Sequence, residues 1–100
     1  MDVYSTYEPR ECIQIFQDVI KQRPLRLRMF PFKCERPQIN GDSASIAASF
    51  KLAQPYGSVV MHCERVDDLT RIVLSTEGNM RGRVTAKSMA KAIARQQDSK

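Results

Sequence analysis

The 100-residue sequence predicts an α+β fold, an antiparallel sheet of three to four strands with an N-terminal and a C-terminal helix packed on one face. Three observations predict it. Apolar residues recur at helical spacing near the start, period-two alternation fills the middle, and a second helical stripe, with cations opposite, closes the chain. The length suits a single domain over residues 1–100, with 1–5 and 97–100 as flexible ends.

Each element has its own signal. Ser5 followed by Glu8 reads as a capping box, and Cys12, Ile13, Phe16, Val19 and Ile20 then mark one face of a helix over about 7–22. Ile15 lies off that stripe and points to a second contact. Pro24 disfavours helix at Arg23. LRLRMFPFKCE alternates and is rich in strand formers, but Pro31 cannot donate to a ladder, so this strand belongs at an edge or bulges. Asn40-Gly41 signals a turn. In SASIAASFKLA, Ile46, Ala48, Phe50 and Leu52 face one way; in SVVMHCERV, Val59, Met61 and Cys63 do so. Asp67-Asp68 links to LTRIVLST, a further strand with Ile72 and Leu74 inward. Connections this short imply antiparallel neighbours. EGNMRGR reads as a loop, and Thr85 as the cap of a final helix over about 85–97.

Composition narrows the function. No apolar run approaches the roughly 18 residues needed to span a bilayer, so no membrane partner is expected. The start MDVYSTYEPRE is too acidic for a signal peptide. Three widely spaced cysteines, Cys12, Cys34 and Cys63, read as reduced thiols and not as a disulfide framework. Both features point to the cytoplasm or nucleus. The net charge of +5 is unevenly spread. Residues 1–22 hold two cations against four acids, residues 23–33 hold Arg23, Arg26, Arg28 and Lys33 with no acid, and residues 81–100 hold six cations against Asp98. Two basic blocks on an otherwise balanced chain favour an anionic partner, of which nucleic acid is the commonest.

The most specific pattern lies in the final helix. Arg83, Lys87, Lys91 and Arg95 recur every fourth residue as one basic ridge, while Ala86, Met89, Ala90 and Ile93 form an apolar stripe on the other side. Like charges at this spacing repel by about 0.2–0.5 kcal/mol per pair, so an anion, internal acids such as Asp98 or plain solvation must accommodate the ridge. The preceding GNMRGR adds Arg81 and two glycines, and backbone amides at a helix start bind phosphate well. Arg26 and Arg28, with long stems over an edge strand, are further candidate phosphate contacts. The ridge and the 23–33 cations are expected to share one landing ground.

TAKSMAKAIA, residues 85–94, resembles the second helix of the double-stranded RNA-binding domain, where a small polar cap precedes lysines and a recurring Ala-Lys pair. The resemblance implies that Lys87 and Lys91 sit near the backbone of an RNA duplex and that Thr85 caps the helix.

Phe30 and Phe32 have two readings. On a straight strand they share a face with Arg26 and Arg28 and could stack bases, a contact worth roughly 1–3 kcal/mol each. If Pro31 bulges the strand, they join Leu25, Leu27 and Met29 inside. With only seven aromatics in the chain, a core role for at least one is favoured.

Catalytic chemistry finds little support. His62 and Cys63 are adjacent on a strand and point to opposite faces, so they cannot act as base and nucleophile together. A zinc site would have to gather Cys12, Cys34, His62 and Cys63 from four elements. Neither a catalytic residue, a metal nor a cofactor is expected. The sequence therefore points to a basic, non-catalytic nucleic-acid-binding module, with RNA slightly favoured. The alternative is a protein-interaction or adaptor subunit, a homodimer or part of a larger complex. It would use the edge strand, apolar residues such as Ile15 and Val60, and an acidic protein surface as partner.

Overall fold

The computed structural model describes residues 2–23, 25–52 and 55–97, with the Arg26 side chain outside that set. Its elements in chain order are β1 (Asp2–Ser5), α1 (Pro9–Lys21), a 3-10 turn (Leu25–Leu27), β2 (Lys33–Cys34), β3 (Gln38–Asn40), β4 (Ser43–Lys51), β5 (Tyr56–Val66), β6 (Leu69–Gly78) and α2 (Met80–Gln97). The sheet is antiparallel throughout and runs β1-β6-β5-β4-β2, with β3 also paired to β4. It thus has more strands than the sequence predicts. The predicted fold class stands.

Alternation decides which side of the sheet the helices cover. Ile46, Ala48 and Phe50 of β4, Val59, Met61 and Cys63 of β5, and Thr70, Ile72 and Leu74 of β6 are all buried on one face. Against them lie Cys12, Ile13, Phe16 and Ile20 of α1 and Ala86, Met89, Ala90 and Ile93 of α2. The apolar stripes predicted for both helices are the ones that pack. α1 lies over β4 and β5, and α2 lies beside it over β5 and β6. Ile15, off the main stripe, faces the groove between the two helices together with Val19 and Ala92. At the far end Gln97 is fully buried, and its Nε2 donates to the Cys12 carbonyl at 2.8 Å, tying α2 to α1.

Several boundaries differ from expectation. Residues 2–5 form an edge strand on β6, where Ser5 pairs with Thr70, and Gln97 belongs to the core. Residue 1 and residues 98–100 lie outside the described residues. Helix α1 starts at Pro9, whose ring suits the first helical position, and the Glu8 amide donates to Glu11 Oε1 at 3.0 Å. Ser5 sits too early to cap it. Its Oγ instead accepts from the Tyr7 amide at 3.0 Å.

The largest departure is the segment after α1. Leu25–Leu27 forms a 3-10 turn and only Lys33–Cys34 pairs with β4, so the long edge strand of the sequence reading is absent. Arg23 explains the change. Its guanidinium donates to the carbonyls of Ile20 at 2.8 Å and Leu27 at 3.1 Å, folding the chain back onto the end of α1. Period-two alternation gives way to an inward Leu27, with Phe30 half-buried and Phe32 9% exposed. Both phenylalanine rings meet Phe50 at centroid distances of 4.9 Å. They belong to the core, as argued for at least one of them. The aromatic platform is ruled out because the strand it needs does not form.

Helix α2 begins five residues earlier than predicted. The Asn79 side chain caps it, its Oδ1 accepting from the Gly82 amide at 2.8 Å, while Thr85 is buried in the helix. Glycine at 82 has a steric cause, since a Cβ there would overlap the Tyr56 carbonyl of β5. Gly78, with φ of +151°, closes the other side of the same tyrosine backbone. We expect Gly82→Ala to destabilise the fold by about 2 kcal/mol or more, read by urea denaturation. Val84→Ala, on the exposed side of the same turn, should leave the midpoint nearly unchanged.

Candidate nucleic-acid interface

The packing of α2 determines where its cations go. With Ala86, Met89, Ala90 and Ile93 turned onto the sheet, Arg81, Arg83, Lys87, Lys91 and Arg95 are all exposed. Residues four apart advance about 400° around the axis, so the ridge winds by about 40° per step and spans about 18 Å from Arg83 to Arg95. Lys87 and Lys91 border a groove floored by Leu74 and Thr76 of β6 and by Ala90. Arg95 has wound round to the groove between the helices, which Asp18 also lines. Arg83 Nη2 reaches the Gly78 carbonyl at 3.5 Å, and the guanidinium stays at the surface.

Among the described residues the ion pairs are those of Arg71, with Asp2 at 3.2 Å and Glu64 at 3.7 Å. Neither involves α2. The chain has 16 cations and 11 acids; setting aside the five cations of α2, which holds no acid, leaves eleven of each sign. The whole formal net charge of the molecule is therefore carried by the exposed surface of one helix.

The second basic block is arranged differently. Arg23 is half-buried and committed to the chain fold through Ile20 and Leu27, with its guanidinium carbon 6.0 Å from the Phe32 ring centroid. Arg28 is exposed, with Nε donating to the Arg23 carbonyl at 3.3 Å. The side chain of Arg26 lies outside the described residues. This segment leads into β2 on the β4 flank of the sheet, whereas Lys87 and Lys91 flank β6, with β5 between. Arg81, Arg83, Lys87, Lys91 and Arg95 share the exposed side of one helix, and Arg23 is taken up by the fold.

The loop glycines also have another purpose than a close approach by phosphate. Gly78 and Gly82 are small because the Tyr56 backbone fills the space beside them. The early start of α2 exposes Met80 and Val84 in its first two turns, at 88% and 67%. A run read as loop gave no reason to look for them. Asn79 ahead of a charged run was the available signal for the true start.

The other reactive groups form no common site, although Cys12 and Cys63 meet in the core. Cys12 and Cys63 are buried in the core, Cys34 is exposed on β2, and His62 points to the uncovered face of the sheet, so the four do not converge. Hydrogen bonding to the Cys63 sulfur, and then burial, push the Cys12 thiol far above the usual range, which makes it a proton donor and a poor nucleophile. Among the described residues no helix is long and apolar enough to cross a membrane. In native protein, brief alkylation with iodoacetamide should modify Cys34 alone, and Cys12 and Cys63 should react only after denaturation, as read by peptide mass mapping.

No protein family, no curated protein and no solved structure matches the chain.

Proposed function

We propose that this protein is a small, non-catalytic nucleic-acid-binding module in which the outer face of α2 lies along a phosphate backbone. The observation that carries the reading is the concentration of the entire net charge on that face, with no acid in the helix and no ion pair to it among the described residues. Phosphates would relieve the repulsion along the ridge and release their own counterions, which is the usual source of affinity for such surfaces. Arg83, Lys87, Lys91 and Arg95 make the principal contacts, Arg81 joins them at the start of the helix, and Arg28 and Arg26 are secondary.

RNA is favoured over DNA by the resemblance of residues 85–94 to the double-stranded RNA-binding helix. In that family the lysines sit at the helix N-terminus, whereas Lys87 lies two turns inside α2. Contact here is through the side of the helix and its side chains, with Thr85 packed inside and no part of the contact. Cytoplasm or nucleus suits such a module. The adaptor reading draws its support from Met29 and Met80, exposed at 74% and 88%, which suit an acidic protein surface with apolar anchors.

Salt dependence separates the two. Four phosphate contacts give a slope of about −3 to −4 in log affinity against log salt, so binding to a short RNA duplex should weaken by about two orders of magnitude between 50 and 200 mM salt. Lys87→Glu with Lys91→Glu should abolish it while leaving the far-UV circular dichroism unchanged. Affinity indifferent both to salt and to the double reversal would remove this reading in favour of the adaptor.

A further inference from the structure

Both helices cover the same side of the sheet, which leaves the other side without a packed layer among the described residues. An antiparallel sheet can face water on one side, but such faces ordinarily carry long charged residues. The middle of this face carries none. Ala47, Val60 and Ser75 stand side by side across β4, β5 and β6, with Ser45, His62 and Val73 in the next row. Val60 at the centre is 37% exposed. Charges are confined to the margins; Tyr4 stands on the β1 edge and Tyr56 at the end of the central β5, each about half exposed. An uncharged middle ringed by polar and aromatic side chains is the layout of a protein interface.

We propose that this face binds a second copy of the chain, sheet against sheet, in a two-fold symmetric dimer. Three points select that occupant. The marginal charges are of both signs and nearly cancel, with Lys33, Lys51 and Arg71 against Asp2, Glu35, Glu64 and Glu77, so two identical faces repel little and a polyanion gains nothing there. The charges are also arranged to complement themselves. Glu77 and Lys33 end one row, running Glu77–Ser58–Ser49–Lys33 across the sheet. A two-fold axis along the strands sets Glu77 of each copy over the Lys33 side of the other. The size fits a weak, concentration-dependent dimer. β4, β5 and β6 run nine residues or more, and with the short β1 and β2 at the edges the face is at most about 30 by 19 Å, under the roughly 800 Å² per partner of a standard interface. α2 lies on the opposite side of the sheet, so dimerisation would leave both basic ridges outward. The dimer does not depend on what those ridges bind.

Sedimentation equilibrium of the full chain tests this. The wild type should pass from one chain of 11.4 kDa toward twice that mass as concentration rises. Val60→Lys should raise the dimer dissociation constant at least about 30-fold, and Glu77→Lys about tenfold. Lys33→Glu combined with Glu77→Lys should restore the wild-type constant, and Lys87→Glu should not change it. Should Val60→Lys fail to fold, amide shifts of the wild type on dilution give a second readout, expected at residues 45–49, 58–62 and 73–77. A wild type that stays monomeric to about 1 mM overturns the proposal. So does a dimer that ignores folded Val60→Lys, or dilution shifts confined to α1 and α2. Shifts on this face produced by an RNA duplex instead of by concentration would also overturn it.

Discussion

The close contact between the first turn of α2 and the backbone of Tyr56 is the constraint on which the rest of this structure depends. Gly82 lies against the Tyr56 carbonyl with no room for a Cβ, and its own carbonyl would stand 2.8 Å from a Cβ on Gly57. Two backbones meeting so closely set how the helix is rotated about its axis as well as where it starts. Ala86, Met89, Ala90 and Ile93 then face the sheet, and the cations wind outward over β6 and toward α1. A rotation of the helix by a quarter turn would press Lys87 toward the core, at a desolvation penalty the ridge could not recover. Surface charge and core packing are thus two consequences of one contact.

Much of this arrangement is legible in the sequence because the relevant signals repeat. The stripes of α1 and α2 and the alternation in β4, β5 and β6 each extend over nine or more residues, and burial rewards every repeat. Where a single long-range contact decides, the sequence misleads. Arg23 folds residues 25–32 into a turn against Phe50, although LRLRMF alternates like a strand. GNMRGR reads as a loop because glycine is a poor helix former, by about 1 kcal/mol relative to alanine. Gly82 is nonetheless helical, since only glycine fits beside Tyr56. β1 is too short and polar to show any period, and it exists because β6 offers an edge.

The candidate interface was legible in the same partial way. The ridge of Arg83, Lys87, Lys91 and Arg95 followed from spacing alone, and all four are exposed. Composition counts charges without showing which are spent internally: Arg23, in the 23–33 block, serves the fold through the carbonyls of Ile20 and Leu27. What remains is a molecule with a neutral body and one basic helix. The sheet face behind that helix, uncharged at its middle and of mixed charge at its margins, has a different chemistry, and the two surfaces suit different partners.

The central claim is that α2 meets a phosphate backbone along its side. The most direct measurement follows the backbone amide resonances while an RNA duplex of about 16 base pairs is titrated into the protein at low salt. The account predicts shifts concentrated between Arg81 and Arg95, strongest near Lys87 and Lys91, with β4 and β5 undisturbed. Shifts centred on the sheet face or on the segment around Arg28, or none at saturating duplex, would contradict it.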